Sequence, residues 1–140
     1  MAILAERRDM TGGGLRLRAR DAAKLAWMLV DGGRWKGRQI VPASWVDASL
    51  SVHRAAYPDA NYGYLFWQHF YNTRCGKIAA WHMAGNGGNS ILAIKELDTA
   101  IVIARSNYNT HGMHQQTTDM LEKYLLQSLP CTSPAGATSH

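Results

Sequence analysis

The chain has 140 residues, 46% of them hydrophobic, enough for one domain that buries roughly two-thirds of its unfolded surface. Fifteen Lys and Arg against ten Asp and Glu leave a formal charge of +5, but the densest basic patch, Arg7, Arg8, Arg16, Arg18 and Arg20, is broken by Gly12-Gly13-Gly14 and lacks the interleaved aromatics of a nucleic-acid binder. No apolar run approaches the roughly 20 residues of a membrane helix, and the start lacks the basic-then-apolar order of a signal peptide, so no membrane partner is expected and periplasm and cytoplasm stay equally open.

Residues 1–10 form a ragged lead, and Thr11-Gly12-Gly13-Gly14 reads as a turn. Ala22, Leu25, Ala26 and Leu29 then recur at helical spacing, predicting an amphipathic helix. Asp21 in its first turn suits the positive end of the helix dipole, and Gly32-Gly33 supplies a left-handed stop. The stretch Gly33-Arg34-Trp35-Lys36-Gly37-Arg38 predicts a turn, and Pro42 with Ser44 opens a short second helix carrying Trp45, Val46 and Leu50. Past a loop at Tyr57-Pro58-Asp59, the aromatic-rich run from Tyr62 to Phe70 reads as one strand. Three more are predicted, Ile78 to Ala84, Ser90 to Lys95 and Thr99 to Ser106, joined by connections too short for parallel crossovers. In the last segment Met113, Thr117, Leu121, Tyr124, Leu125 and Leu129 share one face of a helix capped at Asn109 or Thr110 and ended by Pro130. Residues 130–140 carry too little apolar surface to offset their ordering entropy and read as a disordered tail. The expected fold is a mixed α/β domain of α+β type, an antiparallel sheet flanked by helices.

The sequence Trp81-His82-Met83-Ala84-Gly85-Asn86-Gly87-Gly88-Asn89 places a glycine turn between two strands. It fits neither a dinucleotide fingerprint, which must open a helix, nor a Walker loop, which must end in Gly-Lys-Ser/Thr. Two readings remain, a structural turn or a strand edge whose backbone amides stabilise an oxyanion. His82 reads as a general base or as a hydrogen-bonded structural histidine. Tyr64, Trp67 and Trp81 read as pocket walls or as core. His111 and His114 lie three apart with no third ligand near them, so no metal is expected, and no cofactor either. Two cysteines, Cys75 in a loop and Cys131 in the tail, make no disulfide framework, and Cys75 reads as an ordinary loop thiol. No serine is followed three residues later by lysine and no Gly-x-Ser-x-Gly elbow occurs, so the residue pattern contains no recognisable activated nucleophile.

Taken in order, Gly13-Gly14-Leu15, Ala19-Arg20-Asp21-Ala22-Ala23-Lys24-Leu25, Asp31-Gly32-Gly33-Arg34-Trp35-Lys36-Gly37-Arg38-Gln39-Ile40-Val41, Tyr62-Gly63-Tyr64-Leu65-Phe66-Trp67, Met83 to Asn89, Glu96-Leu97-Asp98 and Ser106-Asn107-Tyr108-Asn109 resemble the C-terminal portion of the β-lactamase-related serine hydrolases. That group includes class C β-lactamases, certain esterases and 6-aminohexanoate-dimer hydrolases, and the likeness spans about residues 11 to 129. It implies part of a β-lactamase/transpeptidase-like fold and ester or amide hydrolysis through an acyl-enzyme, with serine and lysine supplied by chain preceding the matched region. The family's substrate strand, often Lys-Thr-Gly, falls on Met83, Ala84 and Gly85, and the amide of Asn86 becomes an oxyanion donor. Met83 has no charge to attract a carboxylate, so a β-lactam is a poorer expectation than an ester or amide with an apolar edge. The resemblance further implies that the chain alone is inactive, that a small ester or amide is its substrate once complemented, and that its last strand offers an edge for self-association. The contrasting expectation is a non-catalytic ligand-binding module on the same scaffold.

Overall fold

The structure is a computed structural model and describes residues 16–131. The lead at 1–10, the turn at Thr11 to Gly14 and the tail beyond Cys131 lie outside the described residues.

The amphipathic stripe near the start forms α1, Ala19–Val30, which buries Ala22, Ala26, Leu29 and Val30. Leu25, at the margin of that stripe, is exposed. The chain leaves α1 through left-handed Gly32 and Gly33 into a small hairpin, β1 (Arg34–Trp35) against β2 (Arg38–Gln39). The short helix α2, Ala43–Ser49, follows Pro42 and buries Val46.

The rest is a six-stranded antiparallel meander in which every strand pairs with its neighbours in sequence. Its strands are β3 (Arg54–Tyr57), β4 (Ala60–Tyr62), β5 (Trp67–Thr73), β6 (Gly76–Gly85), β7 (Asn89–Ile94) and β8 (Thr99–Ile103). With α1 and α2 on one face and the C-terminal helix on the other, the molecule is a mixed α+β fold.

The expected strand from Tyr62 to Phe70 is two strands. Gly63 turns the chain, its N–H donating to Phe66 O at 2.9 Å, and Leu65 takes a positive φ of 64°. A Cβ on Gly63 would lie 2.3 Å from Ser49 O and 2.8 Å from Ser51 O, so this glycine lets the turn rest on the end of α2. Aromatic richness concealed the break, because it continues across the turn.

Strand alternation sorts the core into two layers. Trp81 and Ala93 pack with Leu29, Val30, Val46 and Leu50 on the α1 face. On the other face Tyr71, Ile78, Ala80, Leu92, Ile94 and Ile103 meet Leu121 and Leu126 of the C-terminal segment.

That segment departs from the expected helix. The helix proper, α3, is Met113–Met120, preceded by left-handed Gly112 with no side-chain cap from Asn109 or Thr110. A π turn, Leu121–Leu125, and a 3-10 turn, Leu126–Ser128, follow. The wider π turn sends Leu126 to the core and leaves Tyr124 and Leu125 exposed. A uniform 3.6-residue period cannot express this one-residue slip.

Cys75 and Cys131 are joined by a disulfide with Cα atoms 5.5 Å apart, which corrects the reading of Cys75 as an ordinary free loop thiol. No helix among the described residues is long and apolar enough to cross a membrane.

Candidate functional site

Strand β6 extends past its partner. Pairing with β5 ends at Trp67 opposite His82, whereas pairing with β7 continues through Met83, Ala84 and Gly85. Among the described residues these three positions therefore have a strand partner on one side only. Asn86, at the head of the turn, is exposed.

The turn itself is held from outside. The Asn86 side chain donates to Asn109 Oδ1 at 3.0 Å and accepts from the Asn109 N–H at 3.2 Å, while Asn89 Nδ2 donates to Asn86 O at 2.8 Å. Gly87 and Gly88 have φ of 87° and 82°, and a Cβ on Gly88 would meet Met113 O at 2.8 Å and Thr117 Oγ1 at 3.0 Å. Helix α3 thus rests directly on the turn, with Thr117 Oγ1 donating to Gly88 O at 2.8 Å. The Gly87 N–H faces Met113 Sδ at 3.2 Å. These contacts occupy part of the backbone that an anion nest would need.

Where the start of α3 bridges from the turn to the sheet, a cleft of about 520 Å3 remains. Trp67, His69, Tyr71, His82 and Ser90 line it from the sheet, Ala84, Gly85 and Asn86 from the β6 end, and His114 from α3. Among the described residues no Lys, Arg, Asp or Glu lines it.

The expected pocket residues separate. Trp67 and His82 border the cleft, but Trp81 is buried in the opposite core layer, because strand alternation turns it away from His82. Met83 packs against that same layer, so of the Met83-Ala84-Gly85-Asn86 set it alone is absent from the cleft lining. Tyr64 is exposed and stacks on His53, centroids 3.9 Å apart, and on Trp45. His111 is exposed. Among the described residues no three His, Cys, Asp or Glu side chains gather to hold a metal.

The sequence pattern did not single out Ser90 or His69, and it raised His114 only as a metal ligand beside His111. A usable signal existed for Ser90, since alternation on the β6–β7 hairpin puts His82, Ala84 and Ser90 on one face. His82 Nδ1 and Ser90 Oγ are 3.0 Å apart and both residues are buried. Among the described residues His82 Nε2 is buried without a partner, and the His69 ring stands edge-to-face with His82 at 4.6 Å.

Burial pushes the His82 pKa down from 6.5 to about 4, reinforced by His69 and His114. Burial lowers His69 as well, against an opposing pull from Asp59. Burial raises the Tyr71 hydroxyl to about 12, helped by Glu122. The three side chains are therefore neutral near pH 7. A depressed folded-state pKa means that the unfolded chain takes up the proton first on acidification. Stability from neutral His82 is complete above its ordinary 6.5 and is lost as pH falls toward about 4, a change of about 3 kcal/mol. Urea unfolding at stepped pH, with an NMR titration of the His82 ring, tests this. A ring midpoint at the ordinary histidine value would refute it.

No protein-family model matches this chain, and no curated protein matches it.

Proposed function

We propose that this chain is the C-terminal portion of a β-lactamase-related serine hydrolase and carries part of that family's fold. It would furnish the substrate-side strand and one oxyanion amide, while a Ser-x-x-Lys segment outside these 140 residues would bring the nucleophile. The observation that carries this reading is the end of β6, where Met83, Ala84 and Gly85 have a strand partner on one side only and run into exposed Asn86. A substrate lying along such an edge exchanges main-chain hydrogen bonds with it. An N–H directed at the developing oxyanion is the kind of donor whose loss costs about 100- to 1,000-fold in kcat. Met83, packed against the apolar layer around Trp81, brings no charge to that edge, which favours uncharged esters and amides over β-lactam carboxylates.

The test begins with the coding DNA upstream of Met1. Any frame encoding Ser-x-x-Lys is expressed in continuity with this chain and assayed on short p-nitrophenyl esters. Turnover that vanishes when that serine is replaced is the expected result. The 140-residue chain alone should show neither turnover nor fluorophosphonate labelling, and stoichiometric labelling of it would defeat the proposal. The outer edge of β8 has no partner strand among the described residues, so the isolated chain is expected to self-associate. Sedimentation equilibrium reads this directly, and a strictly monomeric chain at tens of micromolar would contradict it.

The cleft favours a second reading, a ligand-binding module without chemistry. A continuous enzyme that fails on every ester and amide while the cleft still binds small molecules would select that reading.

A further inference from the structure

Folding gathers the excess positive charge of this chain around α1 and the β1–β2 hairpin. From Arg16 to Arg38 seven Lys and Arg stand against two acids, Asp21 and Asp31, whereas basic and acidic residues balance at eight each in the rest of the chain. The stretch therefore carries a charge equal to the whole formal +5. Asp21 pairs with Lys24. Among the described residues Arg20, Arg34, Lys36 and Arg38 have no carboxylate partner, and all four are exposed.

The same surface holds an apolar groove. Lys24, Leu25 and Met28 of α1 form one wall, and Trp35 and Ile40 form the other. Ile40 is 55% exposed. The rims are cationic, since Arg20 lies one turn before Lys24 on the helix surface and Arg38 is the cross-strand partner of Trp35. The hairpin is fixed in place, with Gln39 Nε2 donating to Gly32 O at 2.8 Å and the Ile40 and Val41 N–H groups both donating to Gly33 O. Its tip is strained. Lys36 and Gly37 take positive φ of 50° and 76°, the two-residue form that favours Asn-Gly. A lysine there costs stability that an asparagine would spare, and it sets one more cation beside the groove.

Size and shape select the occupant. A volume of about 230 Å3 lies below the roughly 300–1,000 Å3 of small-molecule sites and suits one or two inserted side chains. A bilayer is engaged by apolar side chains that project, whereas these form a hollow. Trp35 is half-buried in the wall and offers no projecting plane for a base to stack on. A second copy, meeting this surface by two-fold symmetry, would set like charge against like.

We propose that this groove docks an acidic protein segment, which inserts a large apolar side chain between Leu25, Met28, Trp35 and Ile40 while its flanking carboxylates pair with Arg20, Lys36 and Arg38. The surface lies on the α1 side of the sheet, away from the cleft on the α3 side, so docking leaves that cleft open.

The test is fluorescence anisotropy of the full 140-residue chain with the labelled peptide Glu-Asp-Glu-Trp-Glu-Leu-Asp-Glu. One control peptide replaces Trp and Leu by Ser, and another replaces every carboxylate by its amide. The parent peptide should bind at least about ten-fold more tightly than either control, the ratio expected from burying one large apolar side chain, and should weaken as salt rises. Leu25→Ser/Ile40→Ser should erase the preference over the Ser control, and Lys36→Glu/Arg38→Glu should abolish binding. Lys36→Asn should weaken binding while raising the thermal midpoint, so lost affinity there cannot come from misfolding. Equal binding of the Ser control overturns the groove, equal binding of the amide control overturns the charge pairing, and no binding of the parent peptide overturns the site. Tighter binding to phosphatidylserine-containing vesicles or to single-stranded oligothymidylate overturns the choice of a protein partner. Each result reads binding on a face remote from the cleft, so the outcome is independent of the hydrolase proposal, which is read by turnover.

Discussion

Opening the Cys75–Cys131 disulfide is expected to cost this protein about 4 kcal/mol of stability, the loop-closure entropy restored to the unfolded chain when a link of this span is removed. The two cysteines are 56 residues apart in sequence. One lies in the turn between β5 and β6, and the other follows the last 3-10 turn. The folded structure should change little, because the same regions are tied in other ways. Glu122 Oε1 accepts from Asn72 N at 2.8 Å and from Asn72 Nδ2 at 3.0 Å, and Leu121 and Leu126 remain in the core. The loss therefore acts through the unfolded state. Urea unfolding of the oxidised protein, the reduced protein and the Cys75→Ala/Cys131→Ala double variant measures it. Reduced protein and double variant should agree with each other and fall well below the oxidised form. A midpoint unaffected by reductant would show that the link adds nothing.

Gly63→Ala is the second large effect, expected to destabilise the fold by about 3 kcal/mol, at the upper end of what overpacking a dense site costs. The added methyl would lie 2.3 Å from Ser49 O and 2.8 Å from Ser51 O, with the Trp81 ring at 3.1 Å. Neither carbonyl is a flexible side-chain end that can swing aside. Relief requires the β4–β5 turn to lift from α2, which breaks the Tyr64 N–H to Ser49 O hydrogen bond of 3.1 Å. Thermal unfolding gives the number, and a variant as stable as the parent would show that α2 yields without cost.

Both effects sit where the sequence was hard to read. Helix α1, strands β6, β7 and β8 and the glycine turn were legible because each is a local pattern: a stripe of apolar residues, an alternation, a cluster of residues that permit positive φ; the β1–β2 hairpin, expected as a plain turn, and β3 carry no such pattern. The break at Gly63 was not legible, since what requires glycine there is the approach of Ser49, fixed by packing. The π turn was hidden for a related reason, because Leu121 and Leu126 reach the core at a spacing that no regular helix provides. The pairing of Cys75 with Cys131 brings together positions on separate elements, and no spacing rule identifies it. The site was legible in half. The Ala84-Gly85-Asn86 stretch and His82 stood out in sequence, but the opposite wall belongs to α3, whose register over the glycine turn depends on Thr117 reaching Gly88 O.

The strictly sequential strand order also governs how the molecule comes together in time. Each hairpin from β3 to β8 closes over a few residues, so the sheet can grow by accretion with small closure entropy at every step. Helix α1 is different, packing on β7 and β8 across about half of the chain. Its docking is expected late, after the meander exists to receive it. Pulse-labelled hydrogen exchange during refolding should protect amides of β6 and β7 before those of α1, and earlier protection of α1 would reverse that order.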